Sequence, residues 1–224
     1  HVRPSDANKE SLESFGTIIP HNGELLIAGG DVLTGHDPET GKEHWRWGTW
    51  NPGHREQWWR LVPSPVVGDG VVLVCAPKKQ PVYAITPGKK TKLAWKSEGQ
   101  ISNNKDVLTS DVCTPLFYEG KFFVVYGEGR DKTMAACEPK TGRIHWTTNL
   151  ESRKLVRCSP TAADGKIYLQ NHGGEVYIIE SKSGKILNRA EMGESGDDQT
   201  RSSIAIAGKQ LFIRTNGLIY CVGK

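Results

Sequence analysis

The 224-residue sequence predicts an all-β fold, a β-propeller built of four-stranded antiparallel blades, and three observations carry that prediction. A motif of a small hydroxyl residue, a Pro or apolar residue and a turn closing on Gly recurs along nearly the whole chain. Each copy is followed by short β-rich segments bounded by turn residues. No stretch shows the 3.6-residue apolar period of an amphipathic helix. Repeats of this length cannot bury their own apolar faces and are stable only when stacked, as propeller blades are.

The motif reads Thr17-Ile18 to Gly23, Ser64-Pro65 to Gly70, Thr114-Pro115 to Gly120 and Ser159-Pro160 to Gly165. A fifth copy, Ser203-Ile204 to Gly208, reads as one residue shorter, and the five glycines stand 47, 50, 45 and 43 residues apart. Alternating β-rich segments follow at 24–27, 71–74, 121–125, 166–169 and 210–213, and after a polar or Gly-rich loop a third strand is expected at 35–37, 82–85, 134–137, 176–179 and 218–221. Three units then carry a Pro/Ser-x-Thr/Ser-Gly-Lys/Arg turn at 38–42, 139–143 and 181–185. Trp45 and Trp146 lie four residues after the turn glycines, and Trp95 follows a three-residue insertion after Gly88. A bulky ring repeating at one place in a blade fills the gap to its neighbour, so these tryptophans are expected to be structural rather than ligand-binding.

The expected organisation is a polar linker at 1–13 and blades at about 14–60, 61–110, 111–155, 156–200 and 201–224. The last unit stops after its third strand. A sheet edge left unpaired is a liability, so its fourth strand is expected from elsewhere, upstream of His1.

Composition narrows the function classes. Basic and acidic residues number 29 and 25, for a net charge of +4, and they are interspersed. That is not the single-sign stripe a nucleic-acid face requires. No apolar run approaches the length of a membrane span. Five cysteines, with no CxxC pair, lie mostly inside apolar strand patterns, where the thiol acts as a small hydrophobe.

The connections are unequal. First-to-second and third-to-fourth strand hairpins are tight and share one rim, while the blade-to-blade and second-to-third connections are long and varied and share the other. Variable loops on a rigid scaffold are where binding concentrates. The loop 47–61 gathers Trp50, Trp58 and Trp59 with His54, Arg55 and Arg60, plates and guanidinium groups suited to a planar anion or a sugar, or else simply a cap on the blade interface. Arg157 and Arg201 hold the same repeat position, two residues before Ser159 and Ser203 at the mouth of the central channel. They are placed either to bind carboxylates or to pair with Asp111, Asp197 or Asp198. His172-Gly-Gly-Glu175 reads as a general base with its orienting acid or as a tight glycine turn. No Gly-x-Ser-x-Gly, His-Glu-x-x-His, phosphate loop or EF-hand loop occurs.

Ser159-Pro-Thr-Ala-Ala-Asp-Gly-Lys-Ile-Tyr-Leu169 and Asp37-Pro-Glu-Thr-Gly-Lys-Glu-His-Trp45 resemble the pyrroloquinoline-quinone-type repeat of quinoprotein-dehydrogenase-like propellers. The resemblance covers about residues 14 to 224 and implies a bacterial secreted or periplasmic protein forming part of a seven- or eight-bladed ring. It leaves three readings. The first is a non-enzymatic scaffold with no cofactor, binding a protein or carbohydrate partner on the long-loop rim. The second is a dehydrogenase of alcohols or sugars, which would need pyrroloquinoline quinone, a calcium ion held by carboxylate and amide oxygens, and an aspartate base; many such enzymes also carry adjacent cysteines. The third is a carbohydrate-binding propeller using the tryptophan-rich rim.

Overall fold

The computed structural model describes residues 9–29, 32–48, 60–76, 80–97, 108–127 and 130–223, without the side chains of residues 11 and 12. Blade 1 comprises β1 (Ile19–His21), β2 (Glu24–Gly29), β3 (Val32–His36) and β4 (Glu43–Gly48). Blade 2 comprises β5 (Val66–Gly68), β6 (Val71–Cys75), β7 (Val82–Thr86) and β8 (Lys92–Lys96). Blade 3 holds β9 (Leu116–Tyr118), β10 (Lys121–Tyr126), β11 (Thr133–Cys137) and β12 (Ile144–Asn149). Blade 4 holds β13 (Thr161–Ala163), β14 (Lys166–Gln170), β15 (Glu175–Glu180) and β16 (Ile186–Glu191). Blade 5 has β17 (Ala205–Ala207), β18 (Gln210–Arg214) and β19 (Ile219–Gly223). Each sheet runs in chain order with antiparallel neighbours, four sheets with four strands and the fifth with three.

The hairpin between the first two strands of every blade places two consecutive residues at positive φ. These are Asn22-Gly23, Asp69-Gly70, Glu119-Gly120, Asp164-Gly165 and Gly208-Lys209. Two positive φ values mark the primed turn whose twist matches the flanking strands. In the first four the glycine takes the second position and in the fifth it takes the first. The fifth unit is therefore not shorter: Ser203 to Gln210 spans the same seven steps as Ser159 to Lys166, and only the glycine has moved. The third strand of blade 1 also differs from expectation, beginning at Val32 rather than Gly35 because Gly29↔Val32 already pairs across the hairpin.

The second strands of blades 2 and 3 are buried on both faces. Successive side chains point to opposite faces of a sheet, and here both faces meet another blade. Val72 and Val74 pack with Leu26, Leu33 and Trp45 of blade 1, while Val71, Leu73 and Cys75 pack with Phe122, Val124 and Tyr126 of blade 3. Phe123 and Val125 turn the other way, toward Ile167, Leu169 and Tyr177 of blade 4. A strand buried on both sides must be apolar throughout, as Val71–Cys75 is. Each such Phe, Leu or Val contributes about 1.5–3 kcal/mol by leaving water.

Two polar devices join the blades. Beside the channel the amide of Thr17 donates to Ser64 Oγ (2.8 Å), that of Ser64 to Thr114 Oγ1 (3.0 Å), that of Thr114 to Ser159 Oγ (2.9 Å) and that of Ser159 to Ser203 Oγ (3.1 Å). This ladder explains why the repeat begins on a small hydroxyl residue. At the periphery Trp95 Nε1 donates to the Pro139 carbonyl (2.7 Å) and Trp146 Nε1 to the Ser181 carbonyl (3.2 Å), each on the next blade's hairpin. A register shift beside each fourth strand sets Trp45, Trp95 and Trp146 opposite Gly35, Ala84 and Ala136. Those partners must be small: a Cβ on Gly35 would stand 2.3 Å from the Trp45 ring. Trp45 departs from the pattern and donates to Glu24 Oε2 of its own blade (2.8 Å).

Candidate functional site

Backbone hydrogen bonds place the long connections together on one rim. His172 N–H donates to Leu155 O (2.7 Å), Thr200 N–H to His172 O (3.1 Å), Leu150 N–H to Lys132 O (2.8 Å) and Val82 N–H to Leu108 O (3.2 Å). The first three tie a second-to-third strand loop to a blade-to-blade connection, and the last ties the start of β7 to one. The tight hairpins meet on the opposite rim, where Lys140 Nζ reaches Asp69 (3.2 Å) and Ser181 Oγ donates to Glu119 (2.6 Å).

Of the residues singled out in the sequence, Trp50, His54, Arg55, Trp58 and Trp59 lie outside the described residues. Arg60 is occupied: its guanidinium pairs with Glu10, on the short 3-10 turn Lys9–Leu12, beside the bridge between Ser14 and Leu61. Arg157 and Arg201 lie on connections to either side of the His172 loop, whose backbone bonds Leu155 and Thr200. His172 is buried, and both arginines act on its ring by charge. Burial, first, and then these two cations lower its pKa, against the opposing pull of Asp198. The Nε2 of the ring has no hydrogen-bond partner among the described residues.

Of the acids proposed as arginine partners, Asp198 acts by charge on the same His172 ring, and Asp197 is engaged elsewhere. Asp197 is buried and accepts the backbone amides of Glu194 (2.7 Å) and Asn216 (3.3 Å). Arg201 donates instead to Gln199 Oε1 (2.9 Å). No ion pair joins Arg157, Arg201 or Arg214 to an acid among the described residues.

The His172–Glu175 dyad is not assembled. Asn171 closes the loop as an Asx turn, its Oδ1 accepting the amides of Gly173 (2.9 Å) and Glu175 (3.1 Å), with Gly174 at φ +81. That geometry turns Glu175 inward to a network the sequence did not reveal. Asn171 Nδ2 contacts Glu175 Oε2 (2.9 Å) and Ser152 Oγ (3.1 Å), Tyr177 OH donates to Glu175, and Arg189 approaches Glu175 (3.6 Å) and covers the Tyr177 ring. Burial, then the bond to Glu175, pushes the Tyr177 phenol up to about 12. The network is structural: every polar group in it is spent on a neighbour.

A cleft of about 430 Å³ opens beside Arg201, between the connection into blade 5 and the turn from β18 to β19. Gln199, Thr200, Arg201 and Ser202 line one wall, and Arg214, Thr215 and Asn216 the other. Behind it the buried Gln170 amide donates to Ser202 Oγ (3.2 Å) and Arg214 O (3.2 Å), leaving its own Oε1 unpartnered. Nothing in the repeat pattern marked Arg214, Asn216 or Gln170, because they sit where loops meet rather than in a motif.

Among the described residues no three His, Cys, Asp or Glu side chains converge as metal donors. The cysteines are separate free thiols, and Cys75, Cys113, Cys137 and Cys158 are buried as core side chains.

The backbone is similar to that of quinohemoprotein alcohol dehydrogenase from Comamonas testosteroni, with a TM-score of 0.70 at 15% identity over 96% of this chain. It is also similar to Raptor from Chaetomium thermophilum (TM-score 0.64, 12% identity, 93% of this chain) and to the alcohol dehydrogenase ADHIIG from Pseudomonas putida HK5 (0.56, 14%, 78%). The chain spans only 42%, 19% and 34% of those three chains, so the likeness is one of fold. No curated protein matches the sequence. The profile of the family described as outer membrane protein assembly factor BamB matches residues 28–223, and the chain belongs to that family of PQQ-like propellers.

Proposed function

We propose that the chain is a non-enzymatic propeller acting outside the cytoplasm, which binds a partner or ligand on the rim carrying its long connections. The observation that carries this reading is the gathering of the long connections on one rim, where Arg157, Arg201 and Arg214 have no acidic partner among the described residues. Guanidinium groups without an ion-pair partner on variable connections suit an anionic counterpart. Membership of the family described as an outer membrane protein assembly factor supports a binding role and a place beyond the cytoplasm.

The alternative of quinone-dependent oxidation is tested directly. The protein is titrated with pyrroloquinoline quinone and calcium while the fluorescence of its seven tryptophans is followed, and dye reduction is measured with an alcohol and an aldose. A flat titration with no dye reduction is expected. Saturable quenching accompanied by substrate-dependent dye reduction would overturn the binding-scaffold reading.

A further inference from the structure

The cleft beside Arg201 has a chemical character that the family and the repeat do not specify. Its walls carry two guanidinium groups, three hydroxyls (Thr200, Ser202, Thr215) and two side-chain amides (Gln199, Asn216). No carboxylate, aromatic ring or aliphatic side chain lines it. The lining is mainly polar, and its charge repels a cation.

The positive charge is available. The Arg214 guanidinium has no partner among the described residues, and Arg201 spends one donor on the neutral Gln199. Asp197, behind the Asn216 wall, is buried and accepts the backbone amides of Glu194 and Asn216, and no ion pair joins it to Arg201 or Arg214 among the described residues.

The cleft is also built rather than incidental. Ser202 Oγ donates to Arg214 O (3.2 Å), joining the two walls at their base. Gln170 buttresses that junction from the core. Thr200 is fixed by its amide bond to His172, and Thr215 by the bond from its amide to Leu218 O (2.9 Å). Walls ordered before a ligand arrives spare the entropy of ordering them on binding.

We infer that this cleft binds a small hydroxylated carboxylate, a sugar acid in chemical class. The two guanidinium groups take the carboxylate. The Gln199 and Asn216 side-chain oxygens already accept Arg201 and Thr200, and Thr215 Oγ1 accepts the Leu218 amide. That leaves the two amide NH2 groups and the Thr215 hydroxyl proton to donate to ring hydroxyls. The volume matches: small-molecule sites run from about 300 to 1,000 Å³, and this one lies near the lower end. The inference rests on the reading of this rim as a binding surface and names the ligand class for one part of it.

Isothermal titration with D-glucuronate tests it, beside D-glucose (the hydroxyls without the acid), acetate (the acid without the hydroxyls) and inorganic phosphate. Glucuronate is expected to bind saturably and at least about tenfold more tightly than the other three, because each lacks half of the complementary groups. Arg201→Gln and Arg214→Gln are each expected to weaken glucuronate about tenfold while leaving the near-ultraviolet circular dichroism unchanged. Should either glutamine variant unfold, Arg201→Lys and Arg214→Lys decide instead, since lysine keeps the charge but loses the fork and is expected to bind several-fold more weakly. Equal binding of glucose and glucuronate, equal or tighter binding of acetate or phosphate, no binding at millimolar glucuronate, or affinity untouched by the Arg214 variants would each overturn the inference. These outcomes are separable from the parent reading. Absent glucuronate binding with a flat quinone titration removes the sugar-acid site and leaves the scaffold, whereas dye reduction removes the scaffold whatever glucuronate does.

Discussion

The amide of Thr114 donates to the hydroxyl of Ser159 across 45 positions of sequence, at 2.9 Å. Ser159 thus serves the preceding blade while it opens its own. Ser159→Ala leaves that amide without an acceptor in a half-buried place, and a loss of about 1–2 kcal/mol is expected, read from the urea midpoint. Ser159→Thr keeps the oxygen and is expected to be near neutral. Ser203→Ala should cost less, because the bond from Ser159 to Ser203 is exposed and water can replace it. Equal effects of the two alanine variants would show that the ladder adds nothing beyond local packing.

The tryptophan contacts make a graded series. Trp95 is buried and donates across to blade 3, so Trp95→Ala is expected to cost about 3–5 kcal/mol. Trp146→Phe retains an aromatic ring against Phe123 but loses the bond to Ser181 and part of the ring volume packed on the Gly184 hairpin, and about 1–3 kcal/mol is expected, less than for Trp95→Ala. The hairpin glycines refine the test. Gly41 and Gly184 share a left-handed backbone (φ +70 and +76), but a Cβ on Gly41 enters open space whereas one on Gly184 lies 2.5 Å from the Trp146 ring. Gly41→Ala should therefore cost about 1–2 kcal/mol from conformation alone, and Gly184→Ala distinctly more. Thermal melts of the pair decide it.

His172 predicts a pH dependence of definite sign. Burial and the two arginines lower its pKa from the ordinary 6.5. As the pH falls through that value, the unfolded chain binds a proton that the native ring refuses. Stability therefore rises with pH in this window and is lost on acidification, with a slope of at most about 1.4 kcal/mol per pH unit for one proton. In His172→Asn this component vanishes, so the gap in unfolding free energy between the two proteins should narrow between about pH 7 and about pH 5. A gap constant over that range contradicts the assignment.

The thiols separate cleanly. Cys221 is exposed, while burial pushes Cys113 and Cys137 up to about 12 and Cys75 and Cys158 higher still. The thiolate is the reactive form, so a thiol reagent at neutral pH should label one cysteine in the native protein and five in denaturant. Mass spectrometry of the labelled peptides identifies which. Rapid labelling of Cys113 in the native state would show that the channel side opens.

What the sequence disclosed was whatever repeats. The hydroxyl, the turn glycine and the tryptophan recur at fixed offsets because every blade solves the same pairing problem, and the strands and rims follow from them. The glycine misled once, in blade 5, because a turn with two positive φ values accepts it at either position. The site was less legible. Arg157 and Arg201 stood out by sharing a repeat position, but the acids near them in sequence gave no sign of being tied to backbone amides. Asn171 was passed over beside a conspicuous His and Glu, although its side chain sets the turn that parts them. Arg214 and Gln170 meet only where two loops close, and that is a property of the folded chain.

The hydroxyl ladder also has a polarity. At every step one blade gives an amide proton and the following blade gives an oxygen, so the contact is heterologous: its two faces differ, and it never reads the same in reverse. Duplicating or deleting a whole blade keeps donors and acceptors matched, because one residue of each blade carries both the amide and the hydroxyl. The grammar of the contact is thus indifferent to how many blades there are. Their number must be set by the wedge angle between sheets, through pairs such as Gly68 against Phe117, where a single methyl group would fall 2.2 Å from the ring and force two blades apart.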